Sequence, residues 1–338
     1  MRKRQKTIAI VFHDIPKNSK EYSRREHVII DRDTNGNVTY LGGMLKRHGY
    51  NIKVFAIAPG NLEKLKIKGV DYILNQVDSR AMELRFARIL DRLKIPHSGS
   101  SYEAILSSNN KIKSKRVFEK HHLPIPRYSI LRLHERLTKS FLPSPYPVIV
   151  KPGFEHCSVG ITDHSVVENY QQLKKTVTFL RRRFHQALMI EEYIIGREFH
   201  IPVFQTSDKT MALPLAEYIY AKKTKRKWNI YGFDEKWMKK KETYKKWKFV
   251  SPPKNLDSEI SSQMMRDAVV AFHAFGFRDY GRFDLRYNPK KEQWYFLEAN
   301  ANSDLNPNPR EATTASVLAS GMTMEKFVLQ IIKNSLLS

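Results

Sequence analysis

The chain has 338 residues, 41% of them hydrophobic, with 59 basic against 34 acidic side chains and a single cysteine. That length and apolar content allow two or three packed lobes and exclude an intrinsically disordered chain. One cysteine excludes a disulfide framework, and no apolar run approaches a membrane span, so a reducing, cytoplasmic setting is expected.

In chain order, Met1-Arg-Lys-Arg-Gln-Lys has the basic start of a signal peptide. The apolar run that follows, Thr7–Phe12, is too short and reaches His13-Asp14 without a small-residue cleavage site. It reads as a basic tail and a first strand. Asn51–Ala58 and Asp71–Asn75 read as further short buried strands, with a helix over Val38–Gly49 between the first two and another over Ala81–Leu93. Alternating strands and helices predict a small open α/β lobe, closed by the turn-rich Ile95–Ser101. A basic helix follows over Asn110–His121, then a strand over Pro147–Lys151. Glu168–Phe184 carries Leu173, Val177, Leu180 and Phe184 on one helical stripe, a core face. Strands resume at Leu188–Tyr193 and Glu198–Phe204, and Ser258–Phe275 reads as a helix. Tyr280–Tyr287 and Trp294–Asn300 alternate apolar and polar residues around Asn288-Pro-Lys-Lys-Glu, which predicts a β-hairpin before a closing helix at Thr323–Leu337.

On that hairpin a side-chain period of two puts Arg282 and Asp284 on one face of their strand, and likewise Glu298 and Asn300 on one face of theirs. Two carboxylates, an amide oxygen and a guanidinium can thus converge, either as hard ligands for Mg²⁺ or as a solvated polar face. Lys151 ends its strand before Pro152–Gly160, a loop whose glycines and Ser158-Val-Gly let backbone amides curl around an anion. It is not a Walker loop, because no Gly-Lys-Ser/Thr run precedes a helix. Met189–Phe199 supplies two strands around a turn. A carboxylate or backbone edge there could accept from an adenine amino group, Glu198 could take ribose hydroxyls, and Glu192 reads as an exposed strand residue.

The net charge of +25 predicts anionic partners: nucleotides, acidic peptides, nucleic acid or anionic membranes. Residues 221–248 hold eleven lysines with Trp and Tyr interleaved, a pattern that could grip phosphates and stack bases, or form a solvated loop. The histidines lack metal-ligand spacing, which argues against zinc, and Cys157 lacks a paired histidine signature for nucleophilic work.

The order of pieces is more specific than any one of them: Asn-Lys-Ile-Lys-Ser-Lys, Val-Ile-Val-Lys-Pro, Ser-Val-Gly, Glu-Glu-Tyr-Ile, Gly-Arg-Glu, Arg-Phe-Asp, Phe-Leu-Glu-Ala-Asn. This series resembles the ATP-grasp superfamily and, within it, D-alanine–D-alanine ligases, well over about residues 95–300 and loosely before them. The resemblance implies an α/β fold with α+β lobes: a small N-terminal open α/β domain at 1–100 and an ATP-grasp domain at 101–338. In the latter, a first nucleotide lobe at about 110–190 and a second, metal-bearing lobe at about 191–338 would clamp ATP. It also implies roles by motif position. Lys111 and Lys151 would hold the α- and β-phosphates, Glu191 and the backbone at Ile194 would read adenine, and Glu198 would bind ribose. Lys236, in Tyr-Gly-Phe-Asp-Glu-Lys-Trp, would stand near the γ-phosphate, and Ser158 in the loop covering the phosphates. Asp284, Glu298 and Asn300 would ligate two Mg²⁺ ions, with Mn²⁺ as a substitute, and Arg282 would steady the reaction intermediates.

The implied activity is ATP- and Mg²⁺-dependent ligation of a carboxylate to an amine through an acyl phosphate. Its partners would be ATP and amino-acid-like or peptide-like substrates, acidic ones included given the basic surface. A homodimer is compatible with the resemblance, and no transmembrane segment is expected. Three departures make D-alanine doubtful as the substrate. Phe12–Lys20 lacks the glycine-rich turn and its glutamate, for which only Glu21 or Glu26 could substitute. A Gly-Ser-Ser is replaced by His156-Cys157-Ser158, and the segment after Asn300 becomes Ala301–Pro309. The alternatives are a D-alanine–D-alanine ligase with a rearranged pocket, and a nucleic-acid- or membrane-binding protein that uses 221–248 on the same scaffold.

Overall fold

The computed structural model describes residues 4–14, 26, 29–30, 34–79, 82–220, 227–238, 244, 246–303 and 305–337. Glu21 and much of the lysine-rich segment lie outside them. The N-terminal strands β1 (Thr7–His13), β2 (Asn51–Ile57) and β3 (Tyr72–Gln76) form a parallel sheet in the order β2-β1-β3. Parallel neighbours need crossover connections, and helix α1 (Thr34–Arg47) supplies the first. Leu41, Met44 and Leu45 of α1 pack on Ile8 and Ile10, while Ala9 and Val11 face Met82, Phe86 and Leu90 across the sheet. Phe86 and Leu90 belong to α2 (Glu83–Leu90). Both faces of β1 are therefore covered, which is why it reads as an unbroken apolar run.

Helices α3 (Tyr102–Asn109) and α4 (Lys111–Lys120) follow. The Asn110 side chain accepts from the backbone N–H groups of Ile112 and Lys113 at 3.0 and 3.1 Å, which starts α4 at Lys111. A four-stranded antiparallel sheet comes next: β4 (Tyr128–Leu131), β5 (Val148–Pro152), β6 (Val166–Val167) and β7 (Leu188–Glu192), ordered β4-β7-β5-β6. Helix α5 (Tyr170–Phe184) lays its predicted stripe of Leu173, Val177, Leu180 and Phe184 on Val148, Val150 and Ile190.

The largest sheet is antiparallel. It comprises β8 (Arg197–Gln205), β9 (Thr210–Ala212), β10 (Ala216–Tyr220), β11 (Trp247–Val250), β12 (Tyr280–Asn288) and β13 (Gln293–Asn300). The order is β11-β10-β8-β12-β13, with β9 on β8. The predicted hairpin is β12–β13. Helix α6 (Phe233–Trp237) precedes β11, and α7 (Ser258–Ala274) covers one sheet face, where Met264, Ala268 and Phe272 meet Phe199, Ile201, Phe283 and Phe296. Two last helices, α8 (Ala312–Ala319) and α9 (Met324–Leu337), complete the chain; Phe327 and Ile331 of α9 join the N-terminal sheet to Phe204 and Leu213. No single described helix is long and apolar enough to cross a membrane.

Two readings of residues 221–248 change. Trp247 and Phe249 form β11, and Trp247 packs at 4.9 Å from Tyr231 and 5.9 Å from Tyr218. With Trp247 3% exposed and Tyr231 9%, these aromatics are core and not a stacking platform for bases.

Phe118 of α4 is fully buried, 5.0 Å from Phe296 and 4.9 Å from Phe275, and so ties α4 to the large sheet. Phe118→Ala is expected to destabilise the protein by about 3–5 kcal/mol, read as a lowered calorimetric midpoint.

Candidate active site

The register between strands decides which side chains meet. Arg282 lies opposite Asn300 and Asp284 opposite Glu298, while on the other side Asp284 faces His200 and Arg286 faces Glu198. All seven fall on one face of the sheet, the face away from α7. Between Asp284 and Leu285 the pairing shifts, and Leu285 meets Phe296. Strict alternation would place Phe296 beside Glu298 and Asn300. The β-bulge at Leu297 turns Phe296 into the core, fully buried, and keeps Glu298 in the cleft.

Within the cleft most charges have an opposite partner among the described residues. Arg282 holds Asp284 with two hydrogen bonds, Nε to Oδ1 at 2.7 Å and Nη2 to Oδ2 at 3.0 Å. Although burial opposes ionisation, Arg282 and His200 pull the Asp284 carboxyl down to about 2, and Asp284 in turn raises Arg282. Asn300 Nδ2 donates to Asp284 Oδ2 at 3.2 Å. Lys111 Nζ sits 2.7 Å from Glu298 Oε1 and donates to the Glu155 carbonyl at 2.8 Å. Burial of Glu298 is outweighed by Lys111 and Lys151, so its carboxyl lies below its ordinary range.

Glu191 is fully buried at the edge of the cleft. Its carboxylate is held by Lys151, at 2.5 Å, and by Lys115. Lys115 Nζ also donates to the Phe296 carbonyl at 3.2 Å. Burial would raise Glu191, but the two ammonium groups hold it below the usual carboxylate range. For Lys115 burial prevails over Glu191 and lowers its affinity for protons, whereas Glu191 and Glu298 overcome burial at Lys151 and raise it. We take Glu191 as ionised, because two cations converge on one anion.

Glu198 Oε2 accepts from Arg286 Nη2 at 3.1 Å, and Arg286 Nη1 donates to the Ile194 carbonyl at 2.9 Å. His200 is 2% exposed and lies between two carboxylates, Nε2 3.5 Å from Glu198 and Nδ1 3.5 Å from Asp284. Ser158 Oγ donates to the Tyr231 carbonyl at 2.9 Å, anchoring the loop after β5. In that loop Gly160 has φ +80°, and a Cβ would lie 2.8 Å from the Phe184 ring, so only glycine fits. Lys236 on α6 has its Nζ 5.2 Å over the Trp237 ring. Glu192 is partly covered by Arg127, at 3.2 Å.

These groups line a cleft enclosing about 790 Å³ between the two antiparallel sheets; Lys151, Ser158, Glu191, Glu198, Lys236 and Asp284 all border it. A second cavity of about 1470 Å³ adjoins it and shares Cys157, Lys236, Arg282 and Asn300. Its other walls are polar and include Gln76, Glu83, Asn109 and His156. Of the carboxylates expected as substitutes in this region, Glu26 is paired with Arg183 and Glu21 lies outside the described residues. Glu83 is there instead, 5% exposed and accepting from Asn109 at 2.5 Å; burial pushes its carboxyl up, against His156 and Asn109.

Sequence reasoning missed Lys115, Arg286, His200 and Glu83. Three had a signal: Lys115 is four residues beyond Lys111 on one helix, and Arg286 and His200 are each two residues beyond a named site residue on a strand. Glu83 had none. The adjacent His156 places its Nδ1 3.2 Å from Cys157 Sγ.

Removing one partner from a buried charged cluster leaves the others uncompensated. Glu191→Gln is therefore expected to cost about 3–5 kcal/mol in urea unfolding at neutral pH, whereas Glu192→Gln should stay within about 0.5 kcal/mol. Because the Glu191 carboxyl is depressed in the fold, its contribution is complete above its ordinary 4.5 and is lost as pH falls below that. The stability gap between wild type and Glu191→Gln should accordingly narrow in acid.

Residues 117–333 match the family model of the D-ala D-ala ligase C-terminus. A D-alanine–D-alanine ligase of Methylibium petroleiphilum is 28% identical over 252 residues, 73% of each chain. In fold, the chain is similar to the D-alanine–D-alanine ligase of Bacillus anthracis crystallised with ATP, with TM-score 0.72 and 19% identity over 98% of this chain and 97% of that one. It is also similar to the VanG D-Ala:D-Ser ligase of Enterococcus faecalis, with TM-score 0.70 and 16% identity over 98% of this chain and all of that one. The chain belongs to the D-alanine–D-alanine ligase family of ATP-grasp enzymes and is an ATP-dependent, ADP-forming carboxylate–amine ligase.

Proposed function

We propose that the 790 Å³ cleft takes ATP and that the adjoining cavity takes two amino-acid-like or peptide-like substrates, other than a pair of D-alanines. The observation that carries this reading is the convergence of Arg282, Asp284, Glu298 and Asn300 on paired strands, with Lys111 reaching Glu298 from α4. In this reading Lys111 and Lys151 bind the α- and β-phosphates and Lys236 the γ-phosphate. Glu191 positions Lys151, while the Ile194 N–H reads adenine and Glu198 binds the ribose. Ser158 holds the covering loop in place through Tyr231.

The donor set of two carboxylates and an amide oxygen fits Mg²⁺, with Mn²⁺ as a substitute, and Asp284, Glu298 and Asn300 would hold it. When bound, such an ion neutralises charge on phosphoryl oxygens. The chain's own residues do the rest. Lys236 and Arg282 draw the substrate carboxylate towards the γ-phosphate; its oxygen attacks phosphorus, and ADP leaves. Arg282 then stabilises the oxyanion formed when the amine attacks the acyl phosphate carbonyl, and inorganic phosphate departs as the amide bond closes. No protein nucleophile is required.

The second cavity favours substrates other than two D-alanines. Its buried Glu83 and half-buried His156 present hydrogen-bonding groups that a methyl side chain cannot satisfy, and buried polar groups left unpaired discriminate strongly. The VanG enzyme, a D-Ala:D-Ser ligase by name, shares this fold with another substrate pair. A nucleic-acid function is not favoured, because Tyr231 and Trp247 are core.

The test is ADP release from ATP and Mg²⁺ in a screen of amino acids and short peptides, with D-alanine scored separately for dipeptide. Release should require both a carboxylate and an amine. Glu298→Gln should lower turnover by a factor on the order of 10²–10³. Undiminished turnover in that variant would sink the assignment of Glu298, and D-alanyl-D-alanine as the preferred product would sink the substrate reading.

A further inference from the structure

Asp78, His156 and Cys157 come together on the wall of the second cavity, their ligand atoms all within 4.8 Å of one another. Two of them are neighbours in the loop after β5, and the third follows β3 in the N-terminal sheet, so the cluster exists only in the folded chain. Cys157 adopts φ 54°, and its Sγ lies 3.2 Å from His156 Nδ1. The other ring nitrogen, His156 Nε2, is buried and has no hydrogen-bond partner. Asp78 is steadied by its backbone N–H, 3.3 Å from His13 Nδ1.

A thiol, an imidazole and a carboxylate form a mixed S, N, O donor set, which suits a borderline-soft ion. Bonds of about 2.0–2.3 Å to such an ion require donors roughly 3.5 Å apart, a small closure from the spacing present. The set differs in kind from Asp284, Glu298 and Asn300, which offer oxygen alone and suit Mg²⁺. We propose that Asp78, His156 and Cys157 form a second cation site, for a divalent ion of the zinc class, with its fourth position open to the second cavity. Binding deprotonates the thiol and releases one proton to solvent. The bound ion ties the loop after β5 to the N-terminal sheet and presents a Lewis-acidic position to whatever occupies the cavity. The proposal rests on these three side chains and not on the ligase reading, and its test reads binding and not turnover.

Co²⁺ is the probe, added to the reduced protein with excess Mg²⁺ present to fill oxygen-only sites. One Co²⁺ per chain should bind with a thiolate-to-cobalt charge-transfer band, and the band should disappear in Cys157→Ser. His156→Ala and Asp78→Asn should each weaken binding about tenfold or more. A second measurement needs no variant. Because Cys157 is the chain's sole cysteine, one equivalent of Zn²⁺ should block its alkylation by iodoacetamide in the wild type. Absence of the band, absence of alkylation protection, or unchanged affinity in both His156→Ala and Asp78→Asn would overturn the site.

Discussion

The cleft depends on one constraint, the register in which β12 is paired between β8 and β13. A strand presents alternate residues to opposite faces, so a slip by one residue would move Arg282, Asp284 and Arg286 into the apolar layer beneath α7. Phe283, Leu285 and Tyr287 would then face the cleft. The cost of exposing those side chains and burying three charges keeps the register in place. The bulge at Leu297 is the local adjustment that lets β13 satisfy both layers, since Phe296 must enter the core while Glu298 and Asn300 stay with Asp284.

Once the register is set, the charges are arranged as opposed pairs. Arg282 pairs with Asp284, Lys111 with Glu298 and Arg286 with Glu198, and Glu191 lies between two lysines. Withdrawing a charge from water is expensive unless an opposite charge and good hydrogen bonds compensate it. The same pairing orients cationic groups towards the volume that phosphates would occupy, and groups fixed in advance need not reorganise when charge develops on a substrate. Stability and chemistry therefore draw on the same contacts. The two lysines on α4 show this well: Lys111 reaches the hairpin carboxylate, and Lys115, one turn on, holds the strand residue that in turn holds Lys151.

Much of this was legible before the fold was known. The α5 stripe, the β12–β13 hairpin and the cluster of Arg282, Asp284, Glu298 and Asn300 follow from local periodicity, and the structure has them as expected. Lys115 and His200 were legible in principle, since each shares a face with a residue already singled out. The aromatics of 221–248 allowed two readings, because interleaved Trp and Tyr look alike whether they stack on bases or on one another. Burial separates the two, and burial depends on β10, whose pairing with β11 no local pattern announced.

The sequence alone determined the chemistry on offer. Residue types and their spacing along helices and strands settle which side chains share a face, and the order of motifs settles the family. The tertiary structure decided what those side chains meet. It enclosed Glu191 between Lys115 and Lys151, brought Glu83 to the wall of the second cavity, and set Asp78 beside His156 and Cys157. Each of these joins residues far apart in the chain, and such contacts are set by how the three sheets pack, which periodicity does not encode.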